Sequence, residues 1–167
     1  MMAVPHPDAP EGASVCCAVL TVSDTRTPET DRSGQLIQTS LTAAGHRVGA
    51  YTILPDEPAL IQRQLAQWAD QAELKAMILS GGTGIAPRDT TYDAIAALLE
   101  KTLPGFGEIF RSLSYAEIGS RAIGSRAIAG VYQAKLVFSL PGSSSAVRLA
   151  MQSLILPELT HLVGLLQ

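Results

Sequence analysis

At 167 residues, with 47% hydrophobic and 16% charged side chains, the chain suits one globular domain with a full-sized core. The net charge is −3 and lysine and arginine form no cluster, which argues against a nucleic-acid groove or an anionic membrane surface as partner. No apolar run is long enough to span a bilayer, and residues 1–14 contain prolines but neither the positive nor the apolar region of a signal peptide; this predicts a disordered leader over 1–14, one domain over 15–167, and a cytoplasmic protein.

Val15 to Val22 reads as a buried strand ending at Ser23-Asp24-Thr25. Within it, Cys16 and Cys17 are adjacent, so they point to opposite faces and read as small buried hydrophobes, not as a redox pair. His6, His46 and His161 have no neighbour at ligand spacing, which argues against zinc. Asp31 to Gly34 leads into a helix through Leu36, Ile37 and Leu41, closed by Gly45, with Asp31 or Ser33 as its cap and Ser33 equally a candidate ligand. Val48 to Leu54 predicts a second strand ending in Pro55-Asp56-Glu57. The helix after it carries Ile61, Leu65, Trp68 and Ala72 on one face, with Trp68 in the core.

Ala76 to Leu79 has the uncharged, apolar character of a strand covered on both faces. Gly81, Gly82 and Gly84 then break it, and Ile95, Leu98, Leu99 and Leu103 predict a helix from Asp89 to Leu103-Pro104-Gly105. Gly107 to Ile118 predicts another, with Glu108 in its first turn, where a carboxylate complements the positive helix end. Ala127 to Tyr132 and Lys135 to Leu140 predict a hairpin across Gln133-Ala134. The second of these strands ends in Pro141-Gly142-Ser143-Ser144-Ser145 before a final helical region whose last segment starts at Pro157. The alternation predicts a three-layer α/β/α sandwich around a mostly parallel sheet.

Met77 to Asp89 is the most informative stretch. Strand, glycine loop and helix together place backbone N–H groups and a positive helix end beside an anion. Thr83 adds a hydroxyl, Arg88 a planar cation and Asp89 a carboxylate able to hold Mg²⁺. A tight turn is the plainer reading. The loop is not a Walker P-loop, since no Gly-Lys-Ser/Thr closes it, nor a dinucleotide fingerprint, since Pro87 stands where a third glycine belongs. The predicted strand ends 23–25, 55–57, 80–89 and 141–145 share one sheet edge and can converge on one ligand. No serine–histidine pairing points to a hydrolytic triad. Carboxylates beside anion-binding loops suit Mg²⁺-assisted phosphoryl or nucleotidyl transfer.

Ser80-Gly81-Gly82-Thr83-Gly84, followed by Arg88-Asp89 and Thr91, resembles the signature of the molybdopterin-binding MoaB/Mog family. Pro55-Asp56-Glu57, Pro104-Gly105-Phe106-Gly107-Glu108, Ser125-Arg126 and Leu140-Pro141-Gly142 follow in that family's order and spacing, over about residues 15 to 160. The resemblance implies adenylylation of molybdopterin: its terminal phosphate attacks the α-phosphorus of Mg²⁺-ATP and pyrophosphate leaves. It implies Asp56 and Asp89 as the reactive-centre pair, with Asp89 on Mg²⁺ and Asp56 positioning metal or phosphate. Binding roles fall to Ser23, Asp24, Ser80, Gly81, Gly82, Thr83, Gly84, Arg88, Ser125, Arg126, Pro141, Gly142, Ser143 and Ser144, while Glu108 contacts a ligand or only complements its helix. It further implies a homotrimer or homohexamer and the molybdenum-insertion enzyme as a partner. Tyr92 departs from the smaller residue or proline common there. The rival readings are a molybdopterin carrier without catalysis, and a different enzyme on the same fold.

Overall fold

A computed structural model describes residue 7 and residues 12–166, so the expected leader lies largely outside the described residues. The strands are β1 (Cys16–Val22), β2 (Arg47–Leu54), β3 (Ala76–Ser80), β4 (Lys101–Thr102), β5 (Ile128–Tyr132) and β6 (Lys135–Leu140). They form one sheet in the order β2-β1-β3-β6-β5-β4. The β1–β2, β1–β3 and β3–β6 pairs are parallel, and β5 runs antiparallel to β6 and to β4. Helices α1 (Arg32–Ala43), α4 (Pro104–Ile118), α5 (Ser144–Ala150) and α6 (Leu156–Gly164) cover one face; α2 (Pro58–Ala69) and α3 (Thr91–Ala96) cover the other. The expected three-layer, mostly parallel sandwich is what forms.

Two cores flank the sheet because strand side chains alternate. Cys17, Val19, Ile78 and Phe138 pack with α1 and the C-terminal helices, whereas Cys16, Leu20, Met77 and Leu79 pack with Ile61, Leu65 and Trp68 of α2. The two cysteines thus take opposite faces, both free thiols, with burial pushing Cys17 up to about 12. Trp68 is core, as its spacing predicts. Ala72 is not: α2 stops at Ala69, Ala72 is exposed, and Leu74 fills the corresponding core space.

The helix predicted to run to Leu103 is replaced by the short α3 and the edge strand β4. Ile95 packs in one core and Leu103 against the other, which a single helical stripe cannot do. Pairing with β5 wins: Glu100 N–H donates to Val131 O and Leu103 N–H to Ala129 O, both at 2.8 Å. Helix α4 in turn starts at Pro104, a favoured first-turn residue. Glu108 therefore lies in the second turn, not the first, and the helix-end account of it weakens.

The hairpin turns at Gln133 and Ala134, with φ of 46° and 58°. Neither residue is one that two-residue hairpin turns favour, and Gln133 is held by its N–H to Glu100 Oε1. Between α5 and α6, Met151–Ile155 forms a π-helical turn in which Leu156 N–H donates to Met151 O, five residues back. Pro157, which has no N–H to give, follows immediately.

At the sheet's amino edge, Val15 N–H donates to Nδ1 of the buried His46 at 3.3 Å, and burial lowers the imidazole pKa from its ordinary 6.5. Above about pH 6.5 the ring is neutral in folded and unfolded chains alike; as pH falls toward the lower folded value, the unfolded chain binds the proton first and stability is lost. Tm is expected to fall between about pH 7 and about pH 5, and less steeply in His46→Asn, whose Oδ1 stands where Nδ1 does and accepts the same N–H without titrating. Identical slopes for the two proteins in a thermal-melt series would remove His46 from the account.

Candidate functional site

The carboxyl ends of β1, β2, β3 and β6 share one edge, as expected from their parallel order. Ser23 N–H donates to Leu54 O, and Gly81 N–H to Leu140 O, which ties neighbouring strand ends together. Gly81 has φ of +104°, and a Cβ there would strike Val22 O. Gly82 has φ of +65°, and its Cβ would strike Thr91 Oγ1 and Asp56 Oδ2. Only glycine lets the chain turn this tightly against its neighbours. Gly142 approaches Gly81 so closely that its own Cβ would lie 3.2 Å from Gly81 Cα, so the glycine loop and the 141–144 loop stand back to back.

Asp56 is buried beside the glycine loop. Its Oδ1 accepts from Thr90 Oγ1 (2.7 Å) and Thr91 Oγ1 (3.1 Å), and its Oδ2 accepts from Thr90 N–H (3.1 Å). From outside the helix it thus takes up a backbone N–H at the start of α3, where no side-chain cap bonds. Asp89 is differently placed. Half-buried, it uses Oδ2 to accept Ala86 N–H at 3.2 Å and leaves Oδ1 without a partner among the described residues.

Arg88 is a clasp. Its Nε and Nη2 donate to the two oxygens of Asp24 at 2.9 and 2.8 Å, and its Nη1 donates to Glu57 at 3.0 Å. The Arg88 hydrogen bonds, followed by a bond from Asp56 N–H, lower the Asp24 pKa. These groups are exposed, so water screens the ion pairs and their effect is mainly to fix the β1, β2 and β3 loops relative to one another. Arg126 also reaches the glycine loop, where its Nη1 donates to Gly84 O at 3.2 Å.

On the α1 side, Asp31 caps its helix by accepting Gly34 N–H, and it also accepts from Thr21 and Tyr51 hydroxyls at 2.6 and 2.7 Å. Burial foremost, then this bond to Asp31, raises the Tyr51 pKa. Ser33 is not the cap; its hydroxyl donates to Gly142 O at 2.8 Å and lies 3.4 Å from Ser144 Oγ. Ser143 caps α5 through Ala146 N–H. Ser23 Oγ accepts the N–H groups of Thr25 and Arg26, closing its own turn. Ser80 and Ser125 bury their hydroxyl oxygens without a partner among the described residues. Thr83 is buried in the loop.

The expected residues around β1, β2, β3 and β6 thus come together. Glu108 does not join them: it is exposed on α4 and pairs with no described residue. Sequence reasoning missed that Thr90 and Thr91 hold Asp56, that Glu57 completes the Arg88 clasp, and that Tyr92 and Asp93 hold Arg126. A threonine pair at a helix start was the one local signal. Among the described residues no group of three or more His, Cys, Asp or Glu side chains is gathered as a metal cage.

A family model described as "Probable molybdopterin binding domain" matches residues 18–161. The chain belongs to the molybdopterin-binding domain family. Molybdenum cofactor biosynthesis protein B of Bacillus subtilis is 57% identical over 150 residues, covering 89% of this chain and 88% of that protein. A crystal structure of a molybdenum cofactor biosynthesis protein B superposes with a TM-score of 0.91 at 49% identity, covering 94% of this chain and 98% of the other. The tungsten cofactor synthesizing protein MoaB from Pyrococcus furiosus superposes at 0.82 with 35% identity, covering 93% and 98%.

Proposed function

We propose that the chain acts in molybdenum cofactor biosynthesis as a molybdopterin adenylyltransferase. The observation that carries this reading is the open Oδ1 of Asp89 beside a glycine loop and a cation, at the sheet edge where α/β ligands bind. Family membership supplies the pterin, and the loop chemistry suits the phosphates. The donor set fits Mg²⁺, which takes one or two carboxylates and completes its shell with water and substrate phosphates, so a protein cage is not required. Asp89 would hold the ion, which when bound would neutralise charge building on the phosphates. The loop N–H groups and Arg126 would orient the molybdopterin phosphate toward the α-phosphorus of ATP; the new P–O bond forms as the bond to pyrophosphate breaks. Purified protein given molybdopterin, ATP and Mg²⁺ is expected to yield adenylyl-molybdopterin and pyrophosphate, and EDTA to stop it.

One observation favours the second reading, a molybdopterin carrier. The Asp56 carboxylate is already engaged by Thr90 and Thr91, so one carboxylate and not two stands open. Tight molybdopterin binding without product would establish the carrier.

We also propose self-association. Tyr115, Ile118 and Ile123 are exposed on α4 and the 3₁₀ segment Gly119–Gly124 that follows it. Tyr115 and Ile123 line a groove there of about 420 Å³ with Arg111 and Ala122. A second copy covering this face would remove a contiguous apolar patch from water. Light scattering should then report a trimer or hexamer, and Ile123→Glu a smaller species; a monomeric wild type would refute it.

A further inference from the structure

Arg126 is held at the glycine loop by contacts of different kinds. Its Nη1 donates to Gly84 O, its Nη2 donates to Asp93 Oδ1 at 2.6 Å, and its guanidinium carbon lies 4.1 Å from the centroid of the Tyr92 ring. The two hydrogen bonds fix where one edge of the guanidinium sits, and the ring fixes its plane. A guanidinium carries five N–H donors, of which these contacts use two.

Arg88 offers a contrast. It spends three donors on two carboxylates, so its charge is countered on two sides. The ring of Tyr92 orients Arg126 without adding an opposing charge. The one carboxylate that does face Arg126, Asp93, has a side chain 67% exposed, where water screens it. Arg126 therefore keeps three donors unspent and faces one carboxylate, against two donors left and two carboxylates on Arg88. Its sequence neighbour Ser125 adds a buried hydroxyl oxygen with no partner among the described residues.

Resting on the function proposed above, we infer that Tyr92 is a positioning residue: it holds the Arg126 plane so that the unspent N–H donors take a phosphate oxygen of a bound substrate. Without the ring the long arginine side chain would lose orientation, and binding would carry the cost of restoring it. The phosphate can belong to either substrate, and the two are told apart by titration.

Wild type, Tyr92→Phe, Tyr92→Leu, Arg126→Gln and the Tyr92→Leu/Arg126→Gln double variant are titrated with MgATP and, separately, with molybdopterin. Tyr92→Leu is expected to weaken at least one ligand about fivefold, with Tyr92→Phe within about twofold of wild type because it keeps the ring. The weakened ligand is the one whose phosphate Arg126 receives. Arg126→Gln should weaken the same ligand further, and adding Tyr92→Leu to it should cost nothing more. Without ligand, amide exchange over residues 84–86 should quicken in Tyr92→Leu and not in Tyr92→Phe, as Arg126 loosens its hold on Gly84. A Phe variant as weak as Leu, or additive losses in the double variant, would overturn the inference. Wild-type binding unmoved by Tyr92→Leu would overturn it alone, whereas a wild type that binds neither ligand overturns the proposed function beneath it.

Discussion

Replacing Asp89 with asparagine is expected to lower adenylyl-molybdopterin formation by about a thousandfold while moving Tm by no more than about 2 °C. The asymmetry follows from where its oxygens go. Asp89 makes one side-chain hydrogen bond, to Ala86 N–H, which an asparagine carbonyl oxygen can still accept, and the half-buried residue leaves little packing to lose. What asparagine removes is the charge, and charge facing a triphosphate and its metal acts chiefly at the transition state. Product formation and thermal melting on the same preparation check both halves. Activity within about threefold of wild type would take Asp89 out of the reaction, and a Tm fall of about 10 °C would make its role structural.

Asp56→Ala should show the opposite balance, destabilising the fold by about 3 kcal/mol and lowering Tm by about 10 °C. Its buried carboxylate accepts from Thr90 N–H and from two threonine hydroxyls, and alanine strands all three donors. The start of α3 and the glycine loop would loosen together, since Gly82 packs against Asp56 and Thr91. Activity would fall as well, but with the Tm loss as its companion. A melting temperature unchanged in Asp56→Ala would refute the structural role. It would leave the carboxylate free for metal or phosphate, as the family resemblance implies.

These two aspartates also mark where sequence reading reaches its limit. Both were legible as carboxylates past strand ends: β3 is a short apolar run buried on both faces, β2 is a partly exposed edge strand, and the carboxyl ends of the two lie on one sheet edge. The partners of Asp56 were not, since Thr90 and Thr91 lie more than thirty residues away and contact is set by the fold. The same holds for Arg126, whose partners on α3 are equally distant. Apolar residues from Ile95 to Leu103 fitted a helical period, yet β4 pairs with β5 there, a competition that only the tertiary arrangement decides. Glu108 was misplaced for a smaller reason: Pro104 opens its helix earlier than the apolar period alone suggests.

The π-helical turn before Pro157 sets the phase of the last helix. Each residue advances an α-helix by about 100°, so the widened turn works as a one-residue insertion that re-aims everything after it. With it, Leu159 and Val163 point into the core behind β6. Shortened by one residue, the same sequence would swing both away from the sheet by about that angle. The strand that ends in the 141–144 loop would then lose its backing. A widened turn far along the chain from the glycine loop thus helps to keep one wall of the candidate site where it is.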